Sequence, residues 1–398
     1  METFPANGDS FASALSADGR FVAFSSTASN LVSGDTNGRS DIFVRDQTTG
    51  IIERVSVSST GLEGNDASNY PAISADGRYV SFSSKASNLV AGDTNGWFDV
   101  FVHDRESGET SRVSVNSAGS EGNGNSFPSA ISADGRFIAF SSKANNLVSN
   151  DKNGTFDLFV HDRQTGATTR VSVDSLGTEG NDFSYAPTID ASGQFVAFSS
   201  KASNLVAGDT NGTFDVFMHN METGETTRIS VDSAGMNANG QSGWPAISAD
   251  GKYVAFSSKA NNLVSGDTND TFDVFMHNME TGETMRVSVD SLGAEANQNG
   301  DSVASALSAD GRFVAFTSGA SNLTPSDTNG TFDVFVHDRE SGKTTRVSVN
   351  NLGTEGNNAS YVSALSADGR VVVFNSKASN LATGDTNGAS DIFVTEAF

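Results

Sequence analysis

The chain repeats itself at a nearly constant interval of 58 residues. A Ser-Ala-Asp-Gly-Arg/Lys element places its Asp at 18, 76, 134, 250, 310 and 368, and a degenerate copy, Ala191-Ser192-Gly193, puts Ser192 where another Asp belongs. Successive spacings are 58, 58, 58, 58, 60 and 58. A fixed period of this size points to one supersecondary unit stacked on copies of itself.

Residues 70 to 118 show what the unit contains. Tyr70-Pro71-Ala72-Ile73-Ser74 is a short apolar run, and Asp76-Gly77 is a hairpin turn pair. Tyr79 to Ser83 alternates as a strand does. A polar loop from Lys85 to Gly96 leads to a β-branched and aromatic strand, Asp99 to His103. A turn at Glu106–Glu109 precedes a fourth strand, Thr110 to Val115. No stretch has a helical apolar period with capping signals. Four antiparallel strands in each of seven units predict an all-β fold, a seven-bladed β-propeller. It forms a single domain over 1–398, with blade units starting near 9, 67, 125, 183, 241, 301 and 359. A solenoid would need atypical end caps, but both terminal copies keep the full apolar pattern. The seventh copy stops at Phe398, after its third strand, and Met1 aligns with Asn351, beyond the fourth. The last blade is therefore expected to be three-stranded, or partly paired by residues 2–5. Its edge at Asp391–Thr395 would be open to association.

Each unit carries Asp-Thr-Asn-Gly-x-x-Asp between its second and third strands, with Lys152 replacing Thr once and Asp270 replacing Gly once. Side-chain oxygens at positions 1, 3 and 7 of a tight loop are how a chain surrounds a hard divalent cation. The predicted ligands are Asp35, Asn37 and Asp41; Asp93, Asn95 and Asp99; Asp151, Asn153 and Asp157; Asp209, Asn211 and Asp215; Asp267, Asn269 and Asp273; Asp327, Asn329 and Asp333; and Asp385, Asn387 and Asp391. The cofactor expected is Ca²⁺, up to seven ions, one per blade. No Glu stands at position 12 to close the shell, so affinity is expected at roughly 10⁻⁴–10⁻³ M. The alternative is an Asx-turn, in which Asp and Asn bond their own backbone.

Charge fits the metal reading. Lys and Arg number 24 against 48 Asp and Glu, for a net −24. Such acidity disfavours nucleic acid and anionic membranes as partners. The absence of cysteine removes disulfides and thiolate chemistry. No apolar run is long enough to span a membrane. Met1 leads into polar sequence without a leader's charged and apolar regions, so either a leader has been removed or the chain is cytoplasmic. Weak calcium sites fill only outside the cytosol, which favours a secreted or periplasmic protein.

Ser-Ala-Asp-Gly-Arg-Phe-Val-Ala-Phe-Ser-Ser, at 16–26, resembles the repeat of TolB-like propellers, which usually carry Pro where this chain has Ala. The resemblance covers nearly the whole chain. It implies the propeller fold and little about activity, since that family includes periplasmic scaffolds, peptidase gating domains and uncharacterised secreted proteins. The acidic loop resembles calcium loops of some bacterial propellers.

All five histidines, His103, His161, His219, His277 and His337, occupy one repeat position. Blade spacing holds them too far apart to share a metal, so they are expected to pack or to bond between blades. No serine sits in a Gly-x-Ser-x-Gly elbow. Near-identical copies argue against a single catalytic constellation. The function expected is a calcium-binding, non-catalytic, monomeric scaffold for an unidentified protein or carbohydrate. The alternative is a calcium-assisted hydrolase or lyase acting on a polysaccharide or phosphorylated substrate at the channel mouth.

Overall fold

The computed structural model describes residues 6–297 and 300–397. The expected pairing by residues 2–5 lies outside that range, as do residues 298–299 of the 296–301 connection, which carries the two extra residues behind the one spacing of 60. The described residues form six four-stranded antiparallel sheets and one three-stranded sheet, each running in chain order. Blade two is representative: Ser68–Ile73, Tyr79–Ser84, Asp99–Asp104 and Thr110–Arg112. Blade seven consists of Ser360–Leu365, Val371–Ser376 and Asp391–Glu396. The propeller and its three-stranded last blade match the expectation from the repeat.

First strands contact first strands all the way round, including blade seven with blade one, so they line the axis. The core lies between blades. One cluster joins Ala23, Ile42, Val44 and Val55 of blade one to Val80, Phe82 and Phe101 of blade two. Phe82 and Phe101 stack at 5.9 Å and are fully buried. Alternation along each strand puts such rings on the interblade face, and a fully buried aromatic side chain contributes about 2–3 kcal/mol.

A ring of backbone hydrogen bonds closes the toroid. The alanine N–H of each Ser-Ala-Asp-Gly turn donates to the matching carbonyl of the next blade: Ala17 to Ala75, Ala75 to Ala133, Ala133 to Ala191, Ala191 to Ala249, Ala249 to Ala309 and Ala309 to Ala367. Ala367 then donates to Ala17 at 2.9 Å, completing the circle. Proline has no N–H to donate, so the alanine that departs from the TolB-like pattern is what permits this ring. On the opposite face Ser10 N–H donates to Ser390 O at 2.7 Å, the counterpart of Ser68 to Ser40.

The third strand of blade seven has no outer partner among the described residues. Ile392, Phe393 and Val394 stay half-exposed, whereas Val100, Phe101 and Val102 of blade two are buried. A groove of 640 Å³ runs beside them, lined also by Ile52 and Leu381.

Arginine–aspartate forks tie the ends of neighbouring strands. Arg78 donates to both oxygens of Asp104 at 2.8 and 2.7 Å, and Arg136 does the same to Asp162. The forks hold the carboxyls of Asp104 and Asp162 well below the usual range. A group whose folded-state pKa is depressed stabilises the fold above its unfolded pKa, and that contribution disappears as pH falls through and below about 4. Arg78→Met is thus expected to melt below the parent at pH 7, with the gap constant down to about pH 4 and narrowing progressively below it. A gap independent of pH would remove the charge pair as its cause.

Candidate metal centres and binding face

The acidic loops join second to third strands, and the connections between blades reach them from the same face. In blade two, Gly96 takes the left-handed conformation (φ 70°) that turns the loop. Asp270 adopts the same conformation in blade five, at φ 58°, without glycine's freedom. Asn95 Oδ1 accepts from Trp97 N–H at 2.7 Å, an Asx-turn. Its Nδ2 donates to Asp99 Oδ2 at 2.7 Å and to Gly122 O at 3.0 Å. The asparagine oxygen thus faces its own backbone, and its amide nitrogen faces two acceptors. Asn37, Asn153, Asn269 and Asn329 repeat the arrangement. So does Asn211, and Asn387 does so with Ala6 O as its backbone acceptor.

The third group that joins the two aspartates is a glutamate from the connection to the next blade. Asp35, Asp41 and Glu63 bring ligand atoms within 4.8 Å of one another, as do Asp93, Asp99 and Glu121; Asp151, Asp157 and Glu179; Asp267, Asp273 and Glu295; and Asp327, Asp333 and Glu355. An arginine at the end of each fourth strand sits against them. Arg112 Nη1 lies 2.8 Å from Glu121, 3.3 Å from Asp99 and 3.5 Å from Asp93. Three carboxylates against one guanidinium leave each cluster two negative charges.

Burial sets the electrostatics. Burial, reinforced by the neighbouring Asp99, pushes the Asp93 carboxyl up to about 6. Burial likewise raises Asp41 and Asp157 to about 6, against the hydroxyl bonds from Ser56 and Ser172 that pull them down. Glu121 is held below the ordinary range, first by the Thr94 hydroxyl. Buried carboxylates of raised pKa beside uncompensated charge have the donor chemistry of a divalent site.

Sequence reading thus named both aspartates of each cluster, placed the Leu62-Glu63-Gly64-Asn65 connection on their face without naming its glutamate as a ligand, and missed the arginine. The signal was present as two further columns of the repeat: Arg54, Arg112, Arg170, Arg228, Arg286 and Arg346, and Glu63, Glu121, Glu179, Glu295 and Glu355. Two blades depart. Blade four has Asn237 at the glutamate position, and Asp209 and Asp215 face Arg228 alone. In blade seven, Asp385 and Asp391 have neither arginine nor glutamate among the described residues. There the Asp391 carboxyl is raised by burial and by Asp385 and Asp9.

The histidines pack within their own blades and reach the preceding blade only through a threonine. His103 Nδ1 meets Thr110 Oγ1 at 2.9 Å, and that hydroxyl donates to Val57 O of the preceding blade. Burial lowers the pKa of His103.

Aromatic rings gather near the channel mouth on the loop face. Phe98 packs on Phe127 of the next blade at 5.6 Å, Phe127 on Phe156 at 6.1 Å, and Phe156 on Phe183 at 5.6 Å. Tyr185 closes edge-on to Phe214 at 5.1 Å, and Trp244 to Phe272 at 5.5 Å. Tyr70, Trp97 and Trp244 keep 56%, 48% and 37% of their surface exposed. The chain's two tryptophans therefore both face solvent on this side.

No family model matches the chain, and no curated protein does. Solved structures do. An oligogalacturonate lyase in complex with manganese is similar over 98% of this chain and 91% of its own, with a TM-score of 0.58 and 12% identity. The β-propeller domain of the trilobed protease from Pyrococcus furiosus, described as having an open velcro topology, gives 98% and 95%, a TM-score of 0.58 and 12% identity. A TolB from Agrobacterium tumefaciens matches 70% of this chain and 79% of its own, with a TM-score of 0.44 and 16% identity. At these identities the likeness is one of fold.

Proposed function

We propose that this chain is a calcium-binding, non-catalytic propeller that presents its loop face as a glycan-binding scaffold outside the cytosol. The observation that carries the reading is the set of five Asp/Asp/Glu clusters. Each has two uncompensated negative charges, and all share one face with exposed aromatic rings. Calcium would be held by Asp35, Asp41 and Glu63 and their four counterparts. The asparagines would act as turn formers unless their amides rotate. The ion competes with the arginine Nη1 for the same oxygens, which keeps affinity weak and suits a compartment with millimolar calcium. Exposed tyrosine and tryptophan rings offer flat apolar faces with a polar tip, the shape on which a sugar ring stacks. The candidate groups recur with the same neighbours in blade after blade, which supports binding over a single reaction centre.

Metal analysis and calorimetry test this. About five ions per chain are expected, rather than seven, because blades four and seven lack the third carboxylate. At a dissociation constant near 0.1 mM and 1–2 mM calcium, each site adds about 1.5 kcal/mol. Five sites together should raise Tm by roughly 5–10 °C for a chain of this length. Trp97 and Trp244 should report an oligosaccharide panel by fluorescence, with the response lost on chelation. A protein that binds no calcium and melts identically with and without it would leave the loops as Asx-turns braced by arginine.

A further inference from the structure

Blade four differs from its sisters at one residue whose loss has a defined chemical consequence. In blade one the Glu63 carboxylate is held by three donors. Thr36 N–H donates at 3.0 Å, Thr36 Oγ1 at 2.7 Å and Arg54 Nη1 at 2.5 Å. Blade two repeats this on Glu121 with Thr94 at 3.3 and 2.6 Å and Arg112 at 2.8 Å. Blade five does so on Glu295 and blade six on Glu355. Blade three uses Lys152 N–H and Arg170 on Glu179.

In blade four the glutamate is absent: Thr210 N–H and Thr210 Oγ1 hold no carboxylate among the described residues, and Arg228 faces only the two aspartates of its own loop. Asn237 stands in place of glutamate, and it turns its amide away, donating to Gly208 O at 2.9 Å. That carbonyl belongs to the position whose sisters receive the arginine Nη2, as Gly92 O does from Arg112 at 3.4 Å. Arg228 is 94% buried, 6% of its surface being exposed. None of its three guanidinium nitrogens has a hydrogen-bond partner. Its nearest charges are Asp209 at 3.3 Å and Asp215 at 3.8 Å, with the Phe217 ring 5.7 Å from its Cζ. A buried guanidinium without hydrogen bonds is costly. Asn237 and Thr210 are exposed, so the rim of the cradle meets solvent, and the guanidinium nitrogens lie buried beneath it.

We infer that blade four is a binding site for a carboxylate supplied from outside the chain. The internal glutamates of the four sister blades that carry threonine show the geometry the ligand takes: one oxygen on the threonine N–H and the guanidinium, the other on the threonine hydroxyl. The requirement is a carboxylate with an unhindered approach, such as a small organic acid or the acidic group of a uronate sugar. The cradle stands whether or not calcium fills the other loops, so the two readings fail separately.

The test is an amide NMR titration of metal-free protein, comparing wild type with Asn237→Glu. Glutamate is native to this position in five blades, so the variant keeps the fold. Acetate should shift the Thr210 amide saturably, with a half-point in the millimolar range, and leave Thr36, Thr94, Thr268 and Thr328 unmoved. In Asn237→Glu the response should weaken by about tenfold or more, and Tm should rise as the tethered carboxylate occupies the cradle. Glucuronate binding more tightly than acetate, with glucose silent, would assign the carboxylate to a sugar on this face. Acetate and glucuronate binding equally would assign it to small acids. No saturable shift at Thr210, an equal shift in the variant, or an equal response to glucose would overturn the inference.

Discussion

Arg112→Met is expected to destabilise the metal-free protein by about 3–5 kcal/mol, the cost of stripping one partner from a buried charge cluster. Arg112 Nη1 is the cation shared by Glu121, Asp99 and Asp93. Asp99 is fully buried, so its charge has no recourse to water. Methionine keeps much of the arginine stem's volume, which isolates the loss of charge from the loss of packing. Calcium then separates the two readings of the loops. If the ion occupies this cluster, it takes over the guanidinium's role, and the variant gains more from millimolar calcium than the parent does. Denaturant melts with and without calcium measure this directly. An equal calcium increment in parent and variant would place the ion elsewhere.

That experiment also shows where sequence reading stops. The 58-residue period, the Asp-Gly hairpins and the alternating strands sufficed for seven blades. The alignment of Met1 with Asn351 sufficed for the three-stranded last blade seen among the described residues. These are one-dimensional signals, because a strand's faces alternate along the chain and a turn is built from adjacent residues. The clusters are three-dimensional. Glu121 lies 28 residues after Asp93, on a connection whose path depends on how the next blade docks, and Arg112 arrives from a different strand again. An Asx-turn and a metal loop also use the same residue types at the same spacing. What three dimensions add is the placement of the amide, with Asn95 Nδ2 between Asp99 and Gly122 O, and the glutamate that joins the two aspartates. The inward alanines were visible as a departure from the TolB-like pattern. Their meaning as donors in a closed ring was not, because each partner lies one whole blade away.

Gly135→Ala is expected to cost about 2–5 kcal/mol, through two effects that add at one atom. The residue sits at φ 73° in the Ser-Ala-Asp-Gly turn, where a side chain costs about 1–2 kcal/mol. A Cβ there would also lie 2.2 Å from Tyr79 Cδ2 and 2.9 Å from Tyr79 Cβ. Tyr79 belongs to the preceding blade and is held at the base of its side chain, so relief requires the blades to part, at about 1–3 kcal/mol for overpacking. Gly108 provides the control. It has φ 75° with nothing within 4 Å of an added Cβ, so Gly108→Ala should show the backbone cost alone. The same wedge operates at the closure, where a Cβ on Gly19 would meet Val371 Cγ2 at 2.9 Å. A ring held shut between blades seven and one predicts that Gly19→Ala destabilises more than Gly108→Ala in denaturant melts. Were all three substitutions to cost the same, the turns would be independent hairpins, and the contacts between blades would not be what locks the toroid.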